Sequence, residues 1–334
     1  MSQNTAYAPL LDKFVAWAQT QPDIRAALLV GSQARVDRPA DEWSDLDIIV
    51  IATRPERYLA QTDWVANVGV PWLTFIEKTG TGDERERRVL FAGGLDVDFA
   101  LIPSHKVQQL RLWLRLQRRF PPLLRLLPPG MARQVRQGLA DFADLVRRGV
   151  RVLLDKDGIA TDLALVTAET VSPRPPAQNE FLEVVNDFWY HTVWTAKKLR
   201  RGELWVAKSC GDGYLKRLLL QMLEWHARAT HGWDYPAAAG GSVNRPDTWH
   251  GGRFLEQWAD PRAVQGLRQA FAYYDEDDVG RALLATMDLF RWLATETAQR
   301  LGYPYPAAAE ERVTELVAGL CHSERSEESR PRMG

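Results

Sequence analysis

The sequence predicts an α+β protein: a mixed β-sheet flanked by helices, followed by a second, α-helical domain. Three observations carry that prediction. Short apolar, β-branched runs recur as far as residue 103: IRAALLV (24–30), SDLDIIVIA (44–52), PWLTFIE (71–77), RRVLFAG (87–93) and LDVDFALIP (95–103). From Asn179 to about Leu301 the apolar residues recur at helical spacing instead. Between the two patterns lies VSPRPPAQ (171–178), whose prolines read as a linker.

The elements follow in order. Leu10, Leu11, Phe14, Val15, Trp17 and Ala18 are spaced as one helix face. Strand 24–30 runs into GSQAR, a short helix or loop, and DRPADEW (37–43) is a polar loop before strand 44–52. A short helix is expected around Glu56–Leu59, and GTGDERER reads as a charged turn between the strands on either side. Leu110 to Val150 is rich in arginine and leucine and reads as two helices broken by Pro-Pro pairs. VRVLLDKDGIA (150–160) is a strand ending in an Asp-Gly turn. The helical half holds a helix over 179–201, one or two more up to Gly232, shorter pieces near 252–271, a long helix to Leu301 and a last short set of turns. The expected domains are residues 1–165, with the Arg/Leu-rich insertion at 105–149, and 175–316. The charged, serine-rich tail 317–334 is expected to be disordered.

Composition narrows the function classes. A chain of 334 residues suits one large domain or two ordinary ones. The net charge of −1 supplies no global basic field, which argues against nucleic acid and against an anionic membrane surface. Cys210 and Cys321 have no partners at metal-ligand spacing, which fits a reducing cytoplasm. The first residues lack a basic start followed by a long apolar stretch, so no signal peptide is expected. No window approaches the ~18 apolar residues of a membrane span. Cytoplasmic localisation is the expectation.

The chemistry concentrates in LLVGSQAR and SDLDIIVIA. Asp45 and Asp47 lie two apart on a strand and therefore share a face, while Leu46 and Ile48 take the other. Two adjacent carboxylates repel unless a cation lies between them, and Mg²⁺ takes oxygen ligands while keeping a side open for phosphates. LDVDFALIP repeats the pattern with Asp96 and Asp98, so a neighbouring strand can complete the cluster. Three carboxylates on adjacent strands suit a pair of Mg²⁺ ions about 3.5–4 Å apart, an arrangement for in-line attack at phosphorus. Gly31-Ser32, at the end of the preceding strand, lets the backbone approach an anion and adds a hydroxyl donor.

Val30-Gly31-Ser32, a spacer, Asp45-Leu46-Asp47-Ile48 and a third acid on a later strand resemble the polymerase-β-type nucleotidyltransferase superfamily. RAALLVGSQAR, WSDLDIIV, LDVDFALIP, RVLLDKDGIA, NDFWYHTVWTAKKLRRGELWVAK and LLQMLEWHA, in that order, resemble more closely the aminoglycoside 6-adenylyltransferases, the streptomycin-modifying branch. The resemblance covers most of residues 10–305 and leaves out the tail.

It implies an N-terminal nucleotidyltransferase domain that transfers AMP from ATP to a sugar hydroxyl, with Mg²⁺, and releases pyrophosphate. Asp45, Asp47 and Asp98 match the metal-binding acids, Asp98 being preferred to Asp96, and the third acid can also act as general base. Gly31 and Ser32 match the triphosphate turn, with Arg35, Lys197 and Lys208 as further phosphate contacts. Glu180, Glu183 and Asp187 line one helix face suited to a polycationic acceptor, with Asp187 as substrate contact or alternative base. Glu224, Trp225 and Trp189 are pocket candidates. A cleft between domains makes a monomer sufficient. Two other readings stand beside this one. The first is the same fold acting on another small molecule, a protein or an RNA end; near-neutral charge argues against RNA. The second is a pseudoenzyme that only binds nucleotide; three retained acids argue against it.

Overall fold

The computed structural model describes residues 6–35, 40–78, 85–119, 149–159, 174–233, 248 and 250–322. The chain divides into two compact units, residues 1–171 and 172–334.

The first unit is built on a six-stranded mixed sheet among the described residues. Its strands are β1 (Ile24–Val30), β2 (Leu46–Ala52), β3 (Pro71–Lys78), β4 (Arg85–Phe91), β5 (Leu95–Pro103) and β6 (Arg151–Asp155), in the order β3-β4-β5-β2-β1-β6. β2 and β5 are parallel and every other neighbouring pair is antiparallel. The parallel pairing matters most for the site, because its register sets Asp47 beside Asp98.

β2 and β1 are packed on both faces, which explains their unbroken apolar runs. Leu46, Ile48 and Val50 face α1 (Ala8–Thr20), whose Phe14 lies against Phe99 and whose Trp17 stacks on Trp64. Ile49 and Ile51 belong to a second cluster with Leu28, Val30, Ile159 and Val107. Asp47 shares their strand parity, so it sits where the second apolar layer stops.

The short helix expected near residue 56 is α2 (Pro55–Ala60). The segment 85–87, read as the end of a charged turn, is strand. It opens β4, whose edge neighbour β3 is largely exposed. Arg87 is 3% exposed there, and its guanidinium donates to the carbonyls of Tyr58 and Leu59 at the end of α2 and to Thr74 Oγ1. A helix C-terminus is a natural seat for a cation, so a tertiary contact overrides the local turn signal. The Arg/Leu-rich insertion begins as α3 (Ser104–Arg119); its expected second helix lies outside the described residues.

The second unit is helical. α4 (Gln178–Arg200), α5 (Leu204–Ser209) and α6 (Leu215–His231) are followed by α7 (Leu255–Trp258), α8 (Pro261–Ala270), α9 (Glu276–Leu301) and α10 (Ala307–His322). A π turn, Cys210–Tyr214, joins α5 to α6. The core interleaves α4, α6 and α9 around Phe181, Phe188, Met222, Phe290 and Leu293. Phe188 and Phe290 stack with ring centroids 3.6 Å apart. Residues 317–322, expected in a disordered tail, instead complete α10, because Val317 is fully buried in that core. Among the described residues, no helix is long and apolar enough to cross a membrane.

Phe290→Ala is expected to destabilise the second unit by about 3–5 kcal/mol, the range for emptying a large aromatic site in a closed core. Urea unfolding followed by tryptophan fluorescence measures it. A loss below about 1 kcal/mol would remove this stack from the core's main supports.

Candidate active site

Three acids converge at one end of the β2/β5 pair. Asp45 precedes β2, Asp47 is its second residue and Asp98 lies beside Asp47 on β5. One carboxylate oxygen from each lies within 4.8 Å of the other two. β1 delivers the turn: Val30 pairs with Asp47, and Gly31–Ala34 coils into a single 3₁₀ turn. Gly31 has φ +68°, and a Cβ placed there would overlap the Asp47 carboxylate. Glycine is therefore required twice, for the backbone conformation and for the acid's position. Ser32 Oγ lies 3.5 Å from the Asp45 carbonyl oxygen, setting turn and acids side by side.

Crowding marks this site electrostatically. Burial, the largest cause, pushes the Asp98 carboxyl up to about 6. Arg88 opposes the rise, while Glu86, Asp45 and Asp96 add to it. Arg88 sits opposite Asp98 on β4, with Nη2 3.3 Å from Asp98 Oδ2 and Nε 2.9 Å from both Glu77 and Glu86. Asp96 is turned to another task, accepting a hydrogen bond from Tyr7 Oη at 3.1 Å. Three hard oxygen donors in a partly buried cluster fit Mg²⁺ in ligand chemistry.

The second unit carries a cavity of about 630 Å³. Glu183, Asp187, Arg217, Gln221 and Trp225 are among the residues lining it. Three carboxylates, those of Glu180, Glu183 and Asp187, face it together with the guanidiniums of Arg174 and Arg217. Arg174 is neutralised by a bidentate pair with Glu180 at 2.8 and 3.0 Å. Asp187 accepts from Tyr214 Oη at 2.8 and 3.1 Å.

Comparisons with known proteins identify the family. The family model described as streptomycin adenylyltransferase covers residues 6–320. The chain belongs to the streptomycin adenylyltransferase family. It is 21% identical over 317 residues to the aminoglycoside 6-adenylyltransferase of Bacillus subtilis, spanning 93% of this chain and 96% of the relative. The Campylobacter jejuni aminoglycoside 6-adenylyltransferase is 21% identical over 305 residues, 88% and 89% of the two chains. A crystal structure of an aminoglycoside 6-adenyltransferase from Bacillus subtilis aligns over 97% of this chain and 100% of that one, at 19% identity and a TM-score of 0.40. The chain is thus an adenylyltransferase, a nucleotidyltransferase by reaction class.

Within this family member, the acids and the Gly31-Ser32 turn come together in the first unit. Arg35 closes that turn through its backbone N–H, 3.4 Å from the Ser32 carbonyl. Glu183 and Asp187 both face the cavity of the second unit, and Lys197 is exposed on α4. Other expectations are corrected. Trp189 is 4% exposed, and its indole N–H donates to Tyr305 Oη at 3.2 Å, so it is core and not cavity wall. Glu224 does not line the cavity; burial raises its carboxyl pKa, and its neighbour Trp225 supplies the wall. Lys208 is held by Asp212 and, at 2.6 Å, by the Ala272 carbonyl, a structural engagement within the second unit. Arg88 and Tyr214 escaped the sequence reading. An alternating strand beside an acidic one was a signal for the first; nothing local marked the second.

Asp98 fixes the sign of a pH test. Its folded-state pKa lies above the unfolded value of about 4, so its protonated form favours folding, and that contribution is lost as pH rises through about 6. A cation binds the ionised form and competes with that proton. Adding Mg²⁺ is expected to raise the melting temperature more at pH 7.5 than at pH 5. Equal shifts at both values would take Asp98 out of the cation site.

Proposed function

We propose that the chain is an aminoglycoside O-adenylyltransferase, moving AMP from ATP to a hydroxyl of a streptomycin-like acceptor and releasing pyrophosphate. The observation that carries this reading is the Asp45–Asp47–Asp98 cluster beside the Gly31-Ser32 turn. The family of the chain and the names of its relatives support the acceptor class.

In this reading the acceptor oxygen attacks the α-phosphorus in line. The new P–O bond forms as the bond to the β-phosphate oxygen breaks, and pyrophosphate leaves with that electron pair. Asp98, set beside Asp47 by the register of β2 and β5, takes the hydroxyl proton as general base. Gly31 and Ser32 receive the triphosphate through backbone N–H groups and the serine hydroxyl, and Arg35 offsets its charge. Asp45, Asp47 and Asp98 would hold Mg²⁺, which would supply charge neutralisation at the phosphates. Glu183 and Asp187 hold the cationic groups of the acceptor, and Trp225 offers a ring face to them. Positioning and charge stabilisation then carry most of the rate gain.

The direct test incubates the purified chain with ATP, Mg²⁺ and a panel of aminoglycosides and reads pyrophosphate release. Release with streptomycin is expected. Absence of release with every member of the panel, while ATP still binds, would defeat the acceptor assignment. Asp45→Asn is expected to lower kcat at least about a hundredfold with the fold retained, since it removes a charged ligand from the cluster. Full activity in that variant would exclude Asp45.

A further inference from the structure

Asp187 is presented to its cavity from behind. The cavity is lined by Asp187, whose side chain stays 34% exposed, but the two residues that grip the carboxylate do not line it. Tyr214 Oη donates toward both oxygens, at 2.8 and 3.1 Å. His191 Nδ1, one helical turn along α4, lies 2.6 Å from Oδ1 and 3.0 Å from the Asp187 carbonyl oxygen. The rings of His191 and Tyr214 pack together with centroids 4.3 Å apart, and the Arg217 guanidinium lies over the tyrosine ring at 4.7 Å.

Tyr214 reaches this position because it ends the π turn between α5 and α6. A π turn adds one residue to the helical ladder and re-aims the side chains that follow. It is anchored on both sides. Lys216 Nζ donates to the Gly211 carbonyl at 3.0 Å and to Thr286 Oγ1 at 2.9 Å, and Asp212 is paired with Lys208. The tyrosine is therefore delivered by a built feature of the fold.

We propose that Tyr214, with His191 beside it, is a positioning residue that locks the Asp187 carboxylate and aims its remaining lone pairs at the cationic acceptor. The choice of partner has a chemical reason. A lysine or arginine in that place would orient the carboxylate but cancel its charge. A phenol donates a hydrogen bond and leaves the negative charge for the ligand. This inference rests on the cavity being the acceptor site.

Steady-state kinetics on the full chain, varying streptomycin and ATP separately, tests it. Tyr214→Phe keeps the ring and removes the donor. The KM for streptomycin is expected to rise at least about tenfold, as for the loss of one hydrogen bond to a charged group. The values of kcat and the KM for ATP should stay within about twofold, and the melting temperature should be unchanged, because only acceptor binding depends on the clamp. In an Asp187→Ala background the tyrosine substitution should have no further effect. An unchanged streptomycin KM, or an equal penalty with and without Asp187, would overturn the proposal. If Tyr214→Phe fails to fold, His191→Gln carries the same test by the same two criteria. The failures are distinguishable. If the wild-type chain turns over no aminoglycoside, the proposed function falls and this inference with it. If wild type is active and Asp187→Ala weakens streptomycin but Tyr214→Phe does not, only the clamp is wrong.

Discussion

Three carboxylates held within 4.8 Å of one another are the constraint on which the first unit depends. Like charges at that spacing repel, so the cluster persists only because the chain has no freedom to disperse it. The parallel register of β2 and β5 pins two of the acids, and burial of Leu46 and Ile48 beneath α1 fixes which face they take. A one-residue slip of β2 would turn the acids into the core and the leucine out. The antiparallel pairing of β1 then brings Gly31 against Asp47 so closely that no side chain fits. Strand order, register and the glycine thus serve one arrangement, in which the three acids and the Gly31-Ser32 turn share one end of the sheet.

The surrounding charges answer the same requirement. Arg88 is shared among Glu77, Glu86 and Asp98, so it tempers the acid cluster without neutralising any one member. Burial still dominates at Asp98, whose carboxyl stays near 6 despite the guanidinium. A carboxyl at that value holds its proton weakly at neutral pH. Arg87, the neighbour of Arg88, is occupied differently, with its guanidinium spent on the carbonyls at the end of α2. Two adjacent arginines on one strand therefore serve opposite faces, one the fold and the other the acids.

Much of the first unit was legible because its signals are local. IRAALLV and LDVDFALIP coincide with β1 and β5, and the alternation in SDLDIIVIA told which side chains of β2 were polar by design. The run at 85–87 misled because Arg87 is satisfied by partners distant in sequence, which composition does not reveal. The helical unit was legible as helices but less so as a site. Trp189 and Trp225 lie on similar amphipathic patterns, and only the packing of α4 against α9 sends the first into the core while the second walls the cavity. Val317 opens the stretch assigned to a tail, yet it lies in the apolar run Leu316–Leu320 and is buried in the helical core.

The two units hold Asp98 and Asp187 by contrasting means. Asp98 has a charged neighbour, Arg88, in a cluster where three acids meet and partial compensation is needed for the fold to hold. Asp187 is held by the Tyr214 hydroxyl and the His191 ring, in a cavity where Arg174 is already cancelled by Glu180. Its direction is fixed in advance. Pre-organising a charge without neutralising it lowers the ordering cost of binding and keeps the electrostatic gain. The lysines of the second unit point to the same logic. Lys208 and Lys216 are gathered around Asp212 and the π turn, away from the wall on which Asp187 sits. On that wall Arg174 is paired with Glu180, while the Asp187 carboxylate is held in one orientation by Tyr214.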